Sequence, residues 1–279
     1  SDTLDQSIFN YIMTAKGLES QKAALWGIFS TKYKVLTNVP IALASAVCSS
    51  MMPSLTACVE QNELRMARHK VSTATRFTMI LAIPCAVGLS VLGKPIISML
   101  FTGEVDMPAQ LLRVGSISVV FYSLSTLSNG VLQGIDKLRI PVRNAAIALV
   151  IHLGILYLTL HVFDWMLYGV VFSCIMFAFI MCVLNWLSIK KYLKYRQEVK
   201  RTFFIPLVAS GIMAFFVWLI NFLLSKTASN IVAVLVSIFA GALIYFIILV
   251  LLRGVKESEI RSFPGGDLLA GTARLFHLL

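Results

Sequence analysis

Charge is scarce in this sequence: Asp, Glu, Lys and Arg make up 13% of its 279 residues, while 58% are apolar. A soluble domain carries about 25% charged residues, so a soluble globule is excluded. Acidic residues are the rarer sign, and none falls inside the long apolar runs described below. Ion-coupled pumps usually keep a carboxylate within the membrane, and metal-dependent membrane enzymes need clustered His, Asp or Glu. Neither set is legible here. The four histidines, His69, His152, His161 and His277, stand apart from one another and from any Ser/Asp pair suited to nucleophilic catalysis. The five cysteines, Cys48, Cys58, Cys85, Cys174 and Cys182, match neither a zinc spacing nor a disulfide framework and read as small hydrophobes. No catalytic residue, metal ligand or cofactor is expected. Short alternating segments of a barrel, and the repeats of fibrous chains, are missing as well.

What the sequence does have is apolar runs of about 20 residues, long enough as helices to cross a hydrocarbon core roughly 30 Å thick. Seven candidate spans follow: Val35–Cys58, Phe77–Phe101, Val114–Ile135, Asn144–Phe163, Trp165–Ile189, Phe203–Leu224 and Ala228–Leu252. The expected fold class is all-α, a polytopic transmembrane bundle. Pro40, Pro53, Pro84 and Pro95 lie within or near the ends of the first two spans, where bends are expected. A shorter apolar piece, Ser7–Met13, reads as the tail of a further, truncated span with Asp5 just ahead of it. The chain starts at Ser1 without a signal-like segment, which suggests a piece of a longer protein.

The net charge of +11 does not point to nucleic acid, because the basic residues sit in short connections between spans. Assigning alternate connections to opposite faces puts 17 Lys and Arg on one side and 7 on the other. The rich side comprises 60–76, 136–143, 190–201 and the tail, which the positive-inside rule places in the cytoplasm of a multi-pass plasma-membrane protein. The tail 253–279, broken by Pro264-Gly265-Gly266, suits a helix lying at the membrane interface. The expected division is 1–34 (end of a truncated span and outer loop), 35–189 (five-span bundle), 190–252 (basic loop and two more spans) and 253–279.

Polar side chains align on two spans. In the third, Ser118, Tyr122, Ser125 and Asn129 follow i, i+4, i+7, i+11 spacing and share one helical face. In the first, Lys34, Thr37, Asn38, Ser45 and Ser49 form a similar stripe. Two readings stand: the stripes line one water-filled cavity, or they hydrogen-bond between packed helices. Lys32 and Lys34, at the outer mouth of the first span, suit either an anionic head group or snorkelling to the interface. Two residues apart, they do not share a helical face. His152 reads as a core residue or as a functional one.

The stretch Ala24-Leu-Trp-Gly-Ile-Phe-Ser-Thr-Lys-Tyr-Lys-Val-Leu-Thr-Asn-Val-Pro40, followed by Met52-Pro53-Ser54-Leu55, resembles the helix after the mid-chain loop of the polysaccharide transporter family. The likeness is closest to its stage V sporulation protein B branch, whose relatives include lipid II and O-antigen flippases. Asn129-Gly-Val-Leu-Gln-Gly134 with Lys137, Arg139 and Pro141, and the tail around Phe263-Pro264, are similar to the same family. The resemblance covers the second half of a fourteen-helix protein, so the seven spans correspond to helices eight to fourteen.

That resemblance implies alternating access by two lobes around a cationic cavity, with a lipid-linked saccharide as substrate and an N-terminal lobe of the same protein as partner. It implies no enzyme activity. The family's basic position eight residues before the proline matches Lys32, whereas the stripe favours Lys34. The candidate substrate-facing residues are therefore Lys32, Lys34, Asn38, Ser45, Ser118, Tyr122, Ser125 and Asn129. Two alternatives are carried: half of a cation-coupled multidrug antiporter of the same superfamily, or a polytopic glycosyl or acyl transferase. Membrane lipid is an expected partner in every case, and nucleic acid in none.

Overall fold

A computed structural model describes residues 2–227, 229–252 and 254. They form helices α1 (Asp2–Ala15), α2 (Glu19–Gly27), α3 (Lys34–Glu60), α4 (Leu64–Leu100), α5 (Asp106–Gly115), α6 (Ile117–Gly134), α7 (Arg139–His161), α8 (Met166–Leu193), α9 (Ile205–Leu224) and α10 (Asn230–Leu251). No strand occurs among the described residues. The interfacial helix expected over 253–279 lies outside them.

Six helical segments are long and apolar enough to span a membrane, and a seventh span results if α5 and α6, bent by 50° at Ser116, count as one. The bundle expected from the apolar runs is thus present. Several helices outrun their apolar windows. Polar Leu64–Arg76 joins the second window as the start of a 37-residue α4, about 55 Å long at 1.5 Å per residue. Residues 19–34, read as an outer loop, are helical: α2 runs through a π turn, Ile28–Tyr33, directly into α3. Pro40 and Pro53 lie inside α3, and Pro84 and Pro95 inside α4.

Tight helix ends set the connections. Gly17, Asn62 and Asp136 all adopt positive φ, at 73°, 59° and 57°. Each is followed by an amide that reaches back five residues: Leu18 to the Met13 carbonyl, Glu63 to Cys58 and Lys137 to Leu132. This closure satisfies carbonyls that a helix C-terminus would otherwise leave bare, and it reverses the chain within a few residues. Consecutive spans therefore pack as antiparallel hairpins.

The chain divides into two compact units after Gln197. In the first, one apolar cluster lies toward the basic connections and includes Leu55, Val71, Leu132, Ile140, Ile189 and Leu193. A second lies toward the opposite end, around Phe9, Phe29, Tyr33, Leu111, Leu156 and Leu167. Arg68 Nε donates to the Leu193 carbonyl at 2.7 Å and ties α4 to the end of α8. Glycines permit the closest helix contacts. A methyl on Gly130 would sit 2.0 Å from Cys48 Sγ, and one on Gly134 would sit 3.0 Å from Leu55, so α6 lies against α3 along a Gly-x-x-x-Gly seam. In the second unit α9 and α10 pair in the same manner, with Gly241 against Val217 and with Ala209 and Ala233 buried.

Candidate substrate-facing surface

The π turn decides where the two lysines go. A π turn inserts one residue into the helical repeat; Lys32 lies within it and Lys34 directly after it, and the two reach different surroundings. Lys32 Nζ donates to the backbone carbonyls of Thr102 (3.2 Å) and Glu104 in the connection between α4 and α5. It is a clamp on that connection. Lys34 is ion-paired with Asp2 at the start of α1, and its ammonium lies 5.3 Å from the centroid of the Phe29 ring.

From Lys34 one face of α3 continues through Asn38, Ser45 and Ser49, all exposed, with the small Ala42 among them. At 100° per residue these positions fall within about 80° of arc. Thr37 leaves this stripe: it is buried and donates to the Tyr33 carbonyl at 3.0 Å.

The aligned residues of α6 face inward. Ser118 lies 3.0 Å from the Tyr33 hydroxyl, which also donates to the Gly115 carbonyl at 3.0 Å. Tyr122 packs into the apolar cluster that holds Leu111, Leu156 and Cys174, its ring 6.4 Å from that of Phe177 on α8. Ser125 is buried, and its carbonyl accepts from Ser128. Asn129 Oδ1 accepts from Asn185 Nδ2 at 2.7 Å. Asn185, fully buried on α8, also donates to Ser128 Oγ at 3.0 Å and accepts from Asn144 Nδ2 of α7 at 3.0 Å. The two stripes therefore do not share an open surface: the α3 set is exposed, and the α6 set is spent on contacts with its neighbours. Periodicity establishes that residues share a face but not what that face meets. In an apolar interior, aligned hydroxyls and amides are satisfied by facing helices.

One buried pair joins a residue of the fourth apolar window to one that lies outside every window. Asp5 on α1 and His152 on α7 meet at 2.7 Å, Oδ1 to Nε2, each about 1% exposed. His152 Nδ1 lies 2.9 Å from the Ser173 carbonyl, and the Phe177 ring packs edge-on at 5.6 Å. A carboxylate thus stands opposite the middle of the fourth span, although no window contains one. The signal was present: Asp5, Phe9, Ile12 and Met13 follow i, i+4, i+7, i+8 spacing and are the buried face of α1. Beginning the apolar piece at Ser7 hid it. Among the described residues, no group of three His, Cys, Asp or Glu comes together as a metal set.

Long antiparallel spans with buried polar contacts between them and one exposed polar seam define a polytopic helical membrane protein, not a soluble or single-anchor one. Residues 7–253 match the family described as "MurJ: Lipid II flippase MurJ". The chain belongs to the lipid II flippase MurJ family, which sets aside the antiporter and transferase alternatives as family assignments. It is 24% identical over 250 residues to "Lipid II flippase MurJ" of Bacillus subtilis (strain 168), a match covering 86% of this chain and 45% of that protein. It is 25% identical over 164 residues to "Probable lipid II flippase MurJ" of Bdellovibrio bacteriovorus, covering 56% of this chain and 31% of that one. The Bacillus "Uncharacterized membrane protein YabM" is 28% identical over 125 residues, 44% of this chain and 23% of that protein. The chain thus spans about half the length, or less, of the curated relatives it matches.

Proposed function

We propose that this chain supplies one lobe of a flippase that carries a lipid-linked saccharide, the peptidoglycan precursor lipid II, across the plasma membrane by alternating access. The partner in that motion is a second lobe from the same protein, and the basic end of the first unit faces the cytoplasm. Family membership supports the substrate class. The observation that supports the mechanism is the seam on α3 of half-buried Lys34 and exposed Asn38, Ser45 and Ser49, a polar strip along one arc of a span-length helix. Ser49 satisfies its hydroxyl on the Ser45 carbonyl, but the ammonium of Lys34 and the amide of Asn38 are costly to leave in hydrocarbon without a partner, which favours a polar surrounding for this face. A second lobe across the seam would enclose a wet cleft.

In this reading Lys34 is the cation nearest the cleft and Asp2 holds it in the absence of substrate. A pyrophosphate presents more acceptor oxygens than one carboxylate and competes for the ammonium. Lys32, engaged with the carbonyls of Thr102 and Glu104, shapes the rim. The test is complementation of flippase-depleted cells by the complete protein. Lys34→Ala is expected to weaken transport by something like 1–3 kcal/mol of coupling, with partial recovery in Lys34→Arg. Lys32→Ala is expected to act mainly through the stability of the α4–α5 connection. Full rescue by a Lys32→Ala/Lys34→Ala double variant would remove both lysines from the substrate path.

A further inference from the structure

At the end of the first unit opposite the basic connections, three helices are irregular at nearly one level. α5 and α6 part at the Gly115-Ser116 pair with a 50° bend. α2 enters α3 through the π turn Ile28–Tyr33. α4 carries Pro84, which supplies no N–H to the helical ladder. Tyr33 meets Gly115 and Ser118 at the bend, and Ser90, just past Pro84, meets Arg113, just ahead of Ser116. At 1.5 Å per residue along antiparallel helices, Pro84 and Ser116 lie within about one turn of each other in depth.

The bend frees backbone carbonyls, and hydroxyls from other helices take them up. In a continuous helix the Gly115 carbonyl accepts from the Val119 amide. Here Val119 N–H bonds the Ser116 carbonyl at 3.0 Å, and the Gly115 carbonyl accepts from the Tyr33 hydroxyl at 3.0 Å. The Arg113 carbonyl, which a continuous helix would offer to Ile117, accepts from Ser90 Oγ at 3.1 Å. Gly115 makes room for this, since a β-carbon there would lie 2.6 Å from the Tyr33 ring and hydroxyl. One carbonyl thus has two alternative donors: the phenol in the bent form and the amide in the straight one.

Beyond the bend, α5 is fastened to α4. Lys94 pairs with Asp106 at 2.7 Å, and a β-carbon on Gly93 would lie 3.3 Å from Leu112. At the hairpin tip, Lys32 holds the carbonyls of Thr102 and Glu104, and the Glu104 carboxylate accepts from the Met107 amide. Adjacent residues of the π turn, Lys32 and Tyr33, therefore hold the tip and the base of one hairpin. From α8 comes a further exposed bond, Tyr168 to Gln110.

We infer that α5 and the part of α4 beyond Pro84 form a hinged flap, and that the Tyr33 hydroxyl is its latch. The latched form is the one described above. In the released form the Val119 amide returns to the Gly115 carbonyl, α5 tilts toward the axis of α6, and α4 follows by bending at Pro84. The exchange strands no group at the latch, because the Tyr33 hydroxyl keeps Ser118 as partner. Leu111 and Leu112 are fully buried, so the motion is a tilt and not an undocking. Release also takes the Lys32 ammonium off its two carbonyls. Such an element has two discrete arrangements and switches between them. This holds whichever substrate the protein carries.

The test uses the complete protein in lipid nanodiscs after replacement of the native cysteines. Spin labels at Thr102→Cys on the flap tip and Val162→Cys after α7, both exposed, report the flap by double electron–electron resonance. A control pair, Val142→Cys on α7 and Leu187→Cys on α8, both exposed, reports the bundle on the other side of the bend. Tyr33→Phe keeps the ring and removes only the hydroxyl. It is expected to raise the ratio of released to latched flap distances by roughly tenfold, the scale of one buried hydrogen bond, and to leave the control pair unchanged. An unaltered flap distribution would overturn the latch. An equal change in the control pair would show general loosening and overturn it too. Should Tyr33→Phe fail to fold, Ser90→Ala, which removes the donor to the Arg113 carbonyl, decides by the same two readings.

Discussion

Gly130 of α6 and Cys48 of α3 approach so closely that a β-carbon on the glycine would lie 2.0 Å from the cysteine sulfur. The adjoining turn repeats the arrangement with Gly134 against Leu55. The seam requires no side chain at 130 and a short one at 48. Gly130→Ala is expected to force Cys48 out of its rotamer and part the helices locally, lowering stability by about 1–3 kcal/mol. Cys48→Ala alone removes the sulfur and should cost less, and the double variant should recover much of the Gly130→Ala loss. Thermal unfolding in detergent, as a double-mutant cycle, reads the coupling. Additive effects would show that the contact does not limit α3–α6 packing.

A second expectation concerns the amide cluster at Asn185. Replacing Asn185 by Leu leaves the Nδ2 of Asn144 with only its weaker 3.4 Å partner, Ser188, and removes the donor to Asn129. A loss of about 1–3 kcal/mol is expected, the cost of stranding buried polar groups. Asn144→Leu in the same protein should restore part of it, because two apolar partners strand fewer groups than one. Unfolding midpoints of the two single variants and the double variant measure this.

Water accessibility separates the two polar stripes. In a cysteine-free background, single cysteines at Asn38, Ser45 and Ser49 are expected to react with a membrane-impermeant thiol reagent, whereas cysteines at Ser118 and Ser125 stay protected. Reactivity in α3 should recur with a period near 3.6 residues. Uniform protection along α3 would remove the cleft from the proposed function.

Orientation is tested the same way. Asp106, the first residue of α5, and Lys194, directly after α8, are expected on opposite sides of the membrane, and on intact cells only a cysteine at the former should be labelled if the basic end is cytoplasmic. The reverse pattern would invert the topology.

Much of the architecture was legible in the residues. Apolar runs of span length located α3, α4 and α6 to α10, since a helix that must bury or face hydrocarbon around its circumference leaves an unmistakable trace. The ends were less legible. Residues 19–34 and 64–76 are helical without being apolar, because a helix already nucleated by a span extends into polar sequence at little cost. The π turn at Ile28–Tyr33 has no signature in composition, yet it settles which lysine meets the loop. The site was legible only in part: spacing identified both stripes, but inward and outward faces of a membrane helix can carry the same hydroxyls and amides. Asp5 was hidden because it lies ahead of the apolar piece Ser7–Met13, although its spacing to Phe9, Ile12 and Met13 pointed inward.

The sharp helix ends at Asn62 and Asp136 carry a mechanical consequence. Connections of three or four residues, closed by backbone hydrogen bonds, leave α3, α4, α6 and α7 almost no slack. Neighbouring spans in this set cannot slide lengthwise past each other without breaking those closures. Such a block moves as one piece over the part of α4 that precedes Pro84, where the ring removes a backbone donor from the helix. Compliance within the first unit is left to the prolines inside α3 and α4 and to the single-residue break at Ser116.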